Sequence, residues 1–269
     1  MQLVRNFYIV LIIIGLASCS TSKKAVTEKE YNDRLLNAVA WYQHSGEMQA
    51  LYFQGFNIAR ERVDMALKSM IMQPLAVVVD IDETMLDNSP YETEVIMKGE
   101  ERNGWTGWTN KASAKALPGA LEFANYARDN NVAVYYITNR DDTERKATLL
   151  NLKSLGFPFS DDEHLLTRSD TAYSSGNTSS KMGRRAKVAA THFIVVLIGD
   201  NLNDFSEMFE DRSVNDGKEA VEKNQEMFGR KFIILPNPMY GAWEWPLYDY
   251  NKKLDENGKA NKLRGKLLH

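Results

Sequence analysis

Cysteine is almost missing from this chain of 269 residues: there is one, at position 19. A single thiol excludes a disulfide framework, and it excludes a zinc site built on cysteines. An excess of one charge is missing too. There are 33 Lys plus Arg against 36 Asp plus Glu, a formal net charge of −3. That balance gives no electrostatic case for a nucleic-acid partner, which calls for a basic excess or patch. Repeats and low-complexity tracts are absent. At 43% hydrophobic and 26% charged residues, the chain is neither disordered nor a polytopic membrane protein. The four histidines, His44, His164, His192 and His269, are scattered without ligand spacing.

The one long apolar run lies at the start. Arg5 precedes Phe7 to Ile14, and Gly15, Ala17 and Ser18 supply small residues around Leu16, the pattern of a secretory signal. The run is shorter than the roughly 20 residues a permanent span needs. Leu16-Ala17-Ser18-Cys19 resembles the bacterial lipoprotein signal. That resemblance implies cleavage before Cys19 and a lipid on its sulfur, with the folded part held at a membrane of the cell envelope, expected to be the outer one. The expected organisation is a signal over 1–18, a tether over 19–26 and one domain over 27–269. Thr27-Glu28-Lys29-Glu30 has capping-box spacing for a first helix.

Helical periodicity then predicts helices over about 28–43 and 47–72. Four short apolar, β-branched runs follow: Leu75 to Val79, Val132 to Ile137, Phe193 to Ile198 and Lys231 to Leu235. Each is too short for a helix and lacks strict alternation, as in strands buried on both faces. Pro118 is suited to open a helix running to about Asn130, and Asp141 or Asp142 to cap one that ends before Gly156. The alternation predicts an α/β fold with a Rossmann-like parallel sheet and right-handed crossovers. Ligands of such sheets bind beyond the carboxyl ends of the strands.

Polar residues crowd at those ends. Asp80-Ile81-Asp82-Glu83-Thr84 follows the first run, Thr138-Asn139-Arg140-Asp141 the second, and Gly199-Asp200-Asn201-Leu202-Asn203-Asp204 the third. Taken singly, the first is readable as a helix-capping turn and the last as a solvated loop. Together, four carboxylates packed at one end of a sheet would repel and raise one another's pKa values. A divalent cation resolves that conflict, and an all-oxygen set favours Mg²⁺ over zinc.

These motifs resemble those of the haloacid dehalogenase superfamily of phosphotransferases, in its four-aspartate form. Asp80 to Tyr91, Trp105 to Trp108, Ile137 to Arg140, Gly199 to Phe205 and Leu235 to Trp243 resemble the class C acid phosphatases, bacterial lipoproteins of which several act as 5′-nucleotidases. The resemblance implies a smaller helical portion over the site, made from the first helices, the segment 89–115 and the C-terminal region. It implies Asp80 as nucleophile and Asp82 as general acid and then base. It implies one Mg²⁺ held by the side chains of Asp80 and Asp200 and the backbone carbonyl of Asp82, with Asp204 orienting water around the ion. Thr138 and Asn139 would bind the phosphoryl oxygens and Lys181 would neutralise their charge, although Lys181 lies in a basic stretch where Arg184 or Lys187 could take that part. Trp105 and Tyr240 would sandwich a nucleobase, leaving Trp108, Trp243 and Trp245 to packing.

The expected activity is hydrolysis of phosphomonoesters, chiefly nucleoside 5′-monophosphates, best in mildly acidic conditions. Two alternatives stay open on the sequence: transfer of the phosphoryl group to an alcohol, and a surface lipoprotein that binds a ligand without turnover. Residues 251–269 carry six basic and two acidic residues with four leucines, readable as a terminal helix packed on the core or touching anionic lipid. The sequence leaves the oligomeric state open, a homodimer included.

Overall fold

The computed structural model describes residues 35–98, 104–169, 179–251 and 253–267. The signal, Cys19, the tether and the capping box at Thr27 lie outside them. Two helices come first, α1 (Leu36–His44) and α2 (Gly46–Leu67). Ser45 separates them in an extended conformation and caps α2, accepting a bond from the Met48 amide. The second helix ends at Leu67, short of the predicted 72, where Lys68 closes it.

The four predicted strands all form: β1 (Leu75–Val79), β4 (Ala133–Ile137), β6 (Phe193–Gly199) and β7 (Phe232–Ile234). A fifth, β5 (Leu165–Leu166), joins them, and β2 (Leu86–Asp87) pairs antiparallel with β3 (Lys115–Ala116) as a separate ribbon. Every pair in the main sheet is parallel, in the order β5-β4-β1-β6-β7. The fold class is therefore the expected one. β1 lies at the centre, and the chain passes from β4 on one side of it to β6 on the other. That reversal opens a crevice at the carboxyl ends of β1, β4 and β6.

Burial on both faces explains the lack of alternation. Val77 and Val79 of β1 face one core with Val134, Tyr136 and Ile198, while Ala76 and Val78 face another with Tyr135, Ile137 and Leu197. Helix α5 (Ala120–Asp129) and α2 cover the first face, and α7 (Met182–Ala189) covers the second. Thus α2, expected with the helices over the site, is a layer of the core. Its Tyr52, Phe56, Ala59 and Val63 are fully or almost fully buried.

Three shorter pieces complete the chain toward the site: α3 (Ser89–Lys98), α4 (Trp105–Thr109) and α6 (Arg145–Leu155). Pro118 precedes α5 rather than opening it. Gly119 intervenes at φ +80°, a left-handed conformation, with Phe53 and Phe56 within 3.2 Å of where a Cβ would sit. Asp141 makes the predicted cap: it and Glu144 form a reciprocal capping box ahead of α6, and Gly156 ends that helix. Helix α8 (Lys218–Lys223) and the terminal α9 (Glu256–Lys266) follow, α9 docking on the turn Ala242–Tyr248.

Tyr52 ties this core to the turn after β1. Its hydroxyl is bonded to that of Tyr42 and donates to the carbonyl of Glu83, all three residues being buried. Glu83 stands at φ +53°, where a side chain is strained, so the bond holds an unfavourable conformation in place. Tyr52→Phe, which strands two buried polar groups, is expected to cost about 1–3 kcal/mol in denaturant unfolding. Met65→Ala, on the exposed side of the same helix, is expected to stay within about 0.5 kcal/mol.

Candidate active site

Asp80 leaves the end of β1 with its backbone amide still bonded to the Ile198 carbonyl of β6. The chain then turns sharply, the amides of Thr84, Met85 and Leu86 all reaching back to the Ile81 carbonyl. This turn brings Asp82 to the wall of the crevice and the buried Asp80 beside Asp200 and Asp204, while Ile81 anchors it in the core. Glu83 beside them is fully buried, and its Oε1 accepts the Asn88 amide at 2.8 Å. Burial pushes its carboxyl well up, with the charges of Asp82 and Asp200 adding to the rise.

The loop after β4 supplies the partner of Asp82. Arg140, almost wholly buried, donates from Nη2 to Asp82 Oδ1 at 2.7 Å and from Nε at 3.0 Å. Asn88 Nδ2 adds a third donor to the same oxygen at 2.9 Å, and Thr138 Oγ1 lies 3.4 Å from the other. The remaining guanidinium nitrogen of Arg140 is bound to Thr148 Oγ1 in α6, so the arginine is itself fixed. Its pairing with Asp82 outweighs burial and keeps the guanidinium firmly cationic.

Lys181, the residue before α7, is buried with its ammonium between two carboxylates. It is bonded to Asp80, and to Asp204 Oδ1 at 2.7 Å. Burial would strip its proton, but Asp204 and Asp80 overcome that and raise its pKa. Arg184 and Lys187, its rivals in the sequence, are placed otherwise. Arg184 is fully buried and holds the Thr138 carbonyl and, at 2.7 Å, Asn139 Oδ1, while Lys187 is on the exposed side of α7.

Asp200 and Asp204 follow β6. Asp204 Oδ2 accepts the Asn201 amide at 3.0 Å in a capping box, which folds the loop back onto Gly199. A Cβ on Gly199 would come within 2.3–2.7 Å of the Asp204 side chain, so only glycine permits this approach. Asn237, after β7, donates to Asp200 Oδ2 at 2.8 Å. Burial raises Asp200 well above the usual carboxylate range, and Asp204 and Asp80 add repulsion. Burial likewise pushes Asp80 up to about 7, against the pull of Lys181 and with Asp204 and Asp82 adding to the rise.

One lysine thus faces three carboxylates. Asp80, Asp200 and Asp204 each offer an oxygen within 4.8 Å of the others. A hard divalent cation fits this set: the donors are all oxygen, and burial leaves Asp80 and Asp200 short of positive charge, which their carboxylate neighbours make worse.

Beyond the carboxylates lies a slot of about 350 Å³ lined by Asp82, Glu92, Asn139 and Arg140, with Trp105 and Tyr240 among its walls. The two rings singled out in the sequence therefore meet at one cavity. Tyr91 packs edge-on to Trp105, ring centroids 5.4 Å apart, and the Arg140 guanidinium is 5.9 Å from the Trp105 centroid. A wider cleft of about 710 Å³ continues past Tyr240 to Asp200, Asp204 and Trp245. Trp108 is buried, as packing requires. Trp243 and Trp245 are more than half covered, 40% and 36% exposed, on the Ala242–Tyr248 turn, and Trp245 also lines the wider cleft.

The model of the haloacid dehalogenase superfamily, subfamily IIIB (acid phosphatase), matches residues 12–243. The chain belongs to that family. Its fold is similar to the class C acid phosphatase of Bacillus anthracis, 41% identical, with a TM-score of 0.82 over 89% of this chain and 98% of that one. A structure of that protein with tungstate bound is 40% identical, with a TM-score of 0.81 over 88% and 98% of the two chains. Acid phosphatase 1 of Solanum lycopersicum is 26% identical over 165 residues, 61% of this chain. The chain spans 57% of the length of that curated relative.

Within this acid phosphatase family site, sequence reasoning missed the anchors of the acids. Arg140, Asn88 and Asn237 all lie in the quoted motifs, yet only the fold brings them to Asp82 and Asp200. Arg140 carried one usable signal, a cation directly after Thr138 and Asn139 at a strand end. Lys181→Met tests the electrostatics directly, since it leaves Asp80 and Asp204 buried and facing each other. It is expected to lower stability by about 3–5 kcal/mol in unfolding experiments with chelator present. Unchanged stability would show that the lysine does not neutralise the pair.

Proposed function

We propose that the chain is a Mg²⁺-dependent acid phosphatase that hydrolyses nucleoside 5′-monophosphates, tethered to the bacterial envelope through lipid on Cys19. The observation that carries the catalytic part is the buried Asp80–Lys181–Asp204 bridge with Asp200 beside it, at the end of the sheet where Thr138 and Asn139 also emerge. Membrane attachment rests on Leu16 to Cys19 alone. Among the described residues no helix is long and apolar enough to cross a membrane.

Asp80 is placed to act as the nucleophile. Its carboxylate oxygen attacks phosphorus in line, the bond from phosphorus to the leaving oxygen breaks, and an aspartyl-phosphate forms. Asp82 gives its proton to the departing alkoxide, then takes one from the water that attacks the aspartyl-phosphate, which frees inorganic phosphate and Asp80. The Thr138 hydroxyl and Asn139 amide bind the phosphoryl oxygens, and Lys181 balances their charge. The side chains of Asp80 and Asp200 and the carbonyl of Asp82 would hold the cation, which when bound offsets the repulsion between the Asp80 carboxylate and a phosphate dianion.

Nucleotide preference is supported by the shared slot of Trp105 and Tyr240, since every base offers a face for stacking. The exposed arginine Arg168 at the rim of both cavities suits an anionic substrate. Phosphate release is expected to require Mg²⁺, to stop on chelation, and to fall by about three orders of magnitude or more in Asp80→Asn. Trp105→Ala and Tyr240→Ala are expected to lower kcat/KM for nucleotides about 5- to 100-fold, the worth of one stacked base, and to spare a small alkyl phosphate. Metal-independent release would sink the mechanism, and equal losses on both substrates would remove the stacking.

A further inference from the structure

We infer that Asn88 and Trp108 are positioning residues that aim the Asp82 carboxyl at the leaving group, coupling the helix that carries Trp105 to proton delivery. This rests on the reading of Asp82 as the general acid. The geometry is a relay of two bonds. Trp108 Nε1 donates to Asn88 Oδ1 at 2.9 Å, and Asn88 Nδ2 donates to Asp82 Oδ1 at 2.9 Å. Asn88 is fully buried and Trp108 nearly so, so water does not substitute for either bond without a cavity forming.

The polarity of the relay is forced. An indole N–H only donates, and Asp82 Oδ1, which also accepts from Arg140, accepts while any proton sits on Oδ2, so the amide between them has one workable orientation. Turning Asn88 over would set its carbonyl against the accepting Asp82 Oδ1 and its NH₂ against the indole N–H. Trp108 therefore fixes which end of Asn88 faces the acid. Arg140 Nη2, 3.5 Å from Asn88 Oδ1, favours the same orientation. The Asn88 backbone is held too, by Glu83 Oε1.

Helix α4 is fastened at a second point. Thr109 Oγ1 donates to Glu144 Oε1 at 2.6 Å, and Glu144 Oε2 accepts the Asp141 amide at 2.8 Å. Asp141 follows Arg140, the other group that holds Asp82. Of two consecutive residues of α4, Trp108 thus bonds to Asn88 and Thr109 connects through Glu144 to the residue after Arg140, one turn from the Trp105 ring that lines the slot. A leaving group seated on Trp105 bears on the element that orients Asp82.

Leaving groups separate this role from a merely structural one. Benzyl phosphate and 4-nitrophenyl phosphate both carry one aromatic ring, but only the benzyl alkoxide needs a proton to depart. Values of kcat/KM report the steps up to that departure. Trp108→Phe, which keeps an aromatic ring and removes the N–H, and Asn88→Ala are each expected to lower kcat/KM for benzyl phosphate about tenfold or more, and for 4-nitrophenyl phosphate less than about threefold. If Asn88→Ala does not fold, Trp108→Phe decides. Equal losses on both substrates, or none on either, would overturn the relay. Asp82→Asn serves as the reference: without a selective loss there, the acid role of Asp82 fails; with it there and not in the other two variants, the relay alone fails.

Discussion

Three carboxylates held in a nearly dry pocket with a single ammonium group set the terms for everything around them. Asp80, Asp200 and Asp204 lie at the ends of adjacent parallel strands, and Lys181 touches two of them. Burial raises the pKa values of Asp80 and Asp200, and the neighbouring carboxylates add to the rise. The arrangement is stable only with positive charge supplied. Lys181 supplies part, and a divalent cation is the natural remainder. The phosphate dianion of a substrate then arrives at a site whose anions are already balanced.

The fold makes this convergence possible without strain in the sheet. Parallel strands direct every carboxyl end the same way, and the central β1 receives neighbours from both sides. Local exceptions to good geometry occur where the acids need them. Gly199 leaves room for Asp204, and Glu83 adopts a left-handed conformation under the hold of Tyr52. Strain at Glu83 is thus offset from α2, a helix that never touches the substrate slot.

Much of this was legible in the sequence, and the part that was not has physical causes. Buried strands betray themselves by unbroken apolar runs, so β1, β4, β6 and β7 were placed to within about one residue, and the acids followed from the strand ends. A two-residue strand such as Leu165–Leu166 has no periodicity to detect. Helix α2 shows an apolar face, but periodicity does not say which layer that face covers. Pairings such as Arg140 with Asp82 and Asn88 with Trp108 join residues 58 and 20 positions apart. Pro118 misled because Gly119 takes the left-handed step that opens α5.

The surplus negative charge of Asp80 and Asp200 predicts a cation site, and calorimetric titration of Mg²⁺ into chelator-treated protein measures it. One saturable ion per chain, lost in Asp200→Asn, is the predicted result. No saturable binding, or binding that persists undiminished in Asp200→Asn, would contradict it.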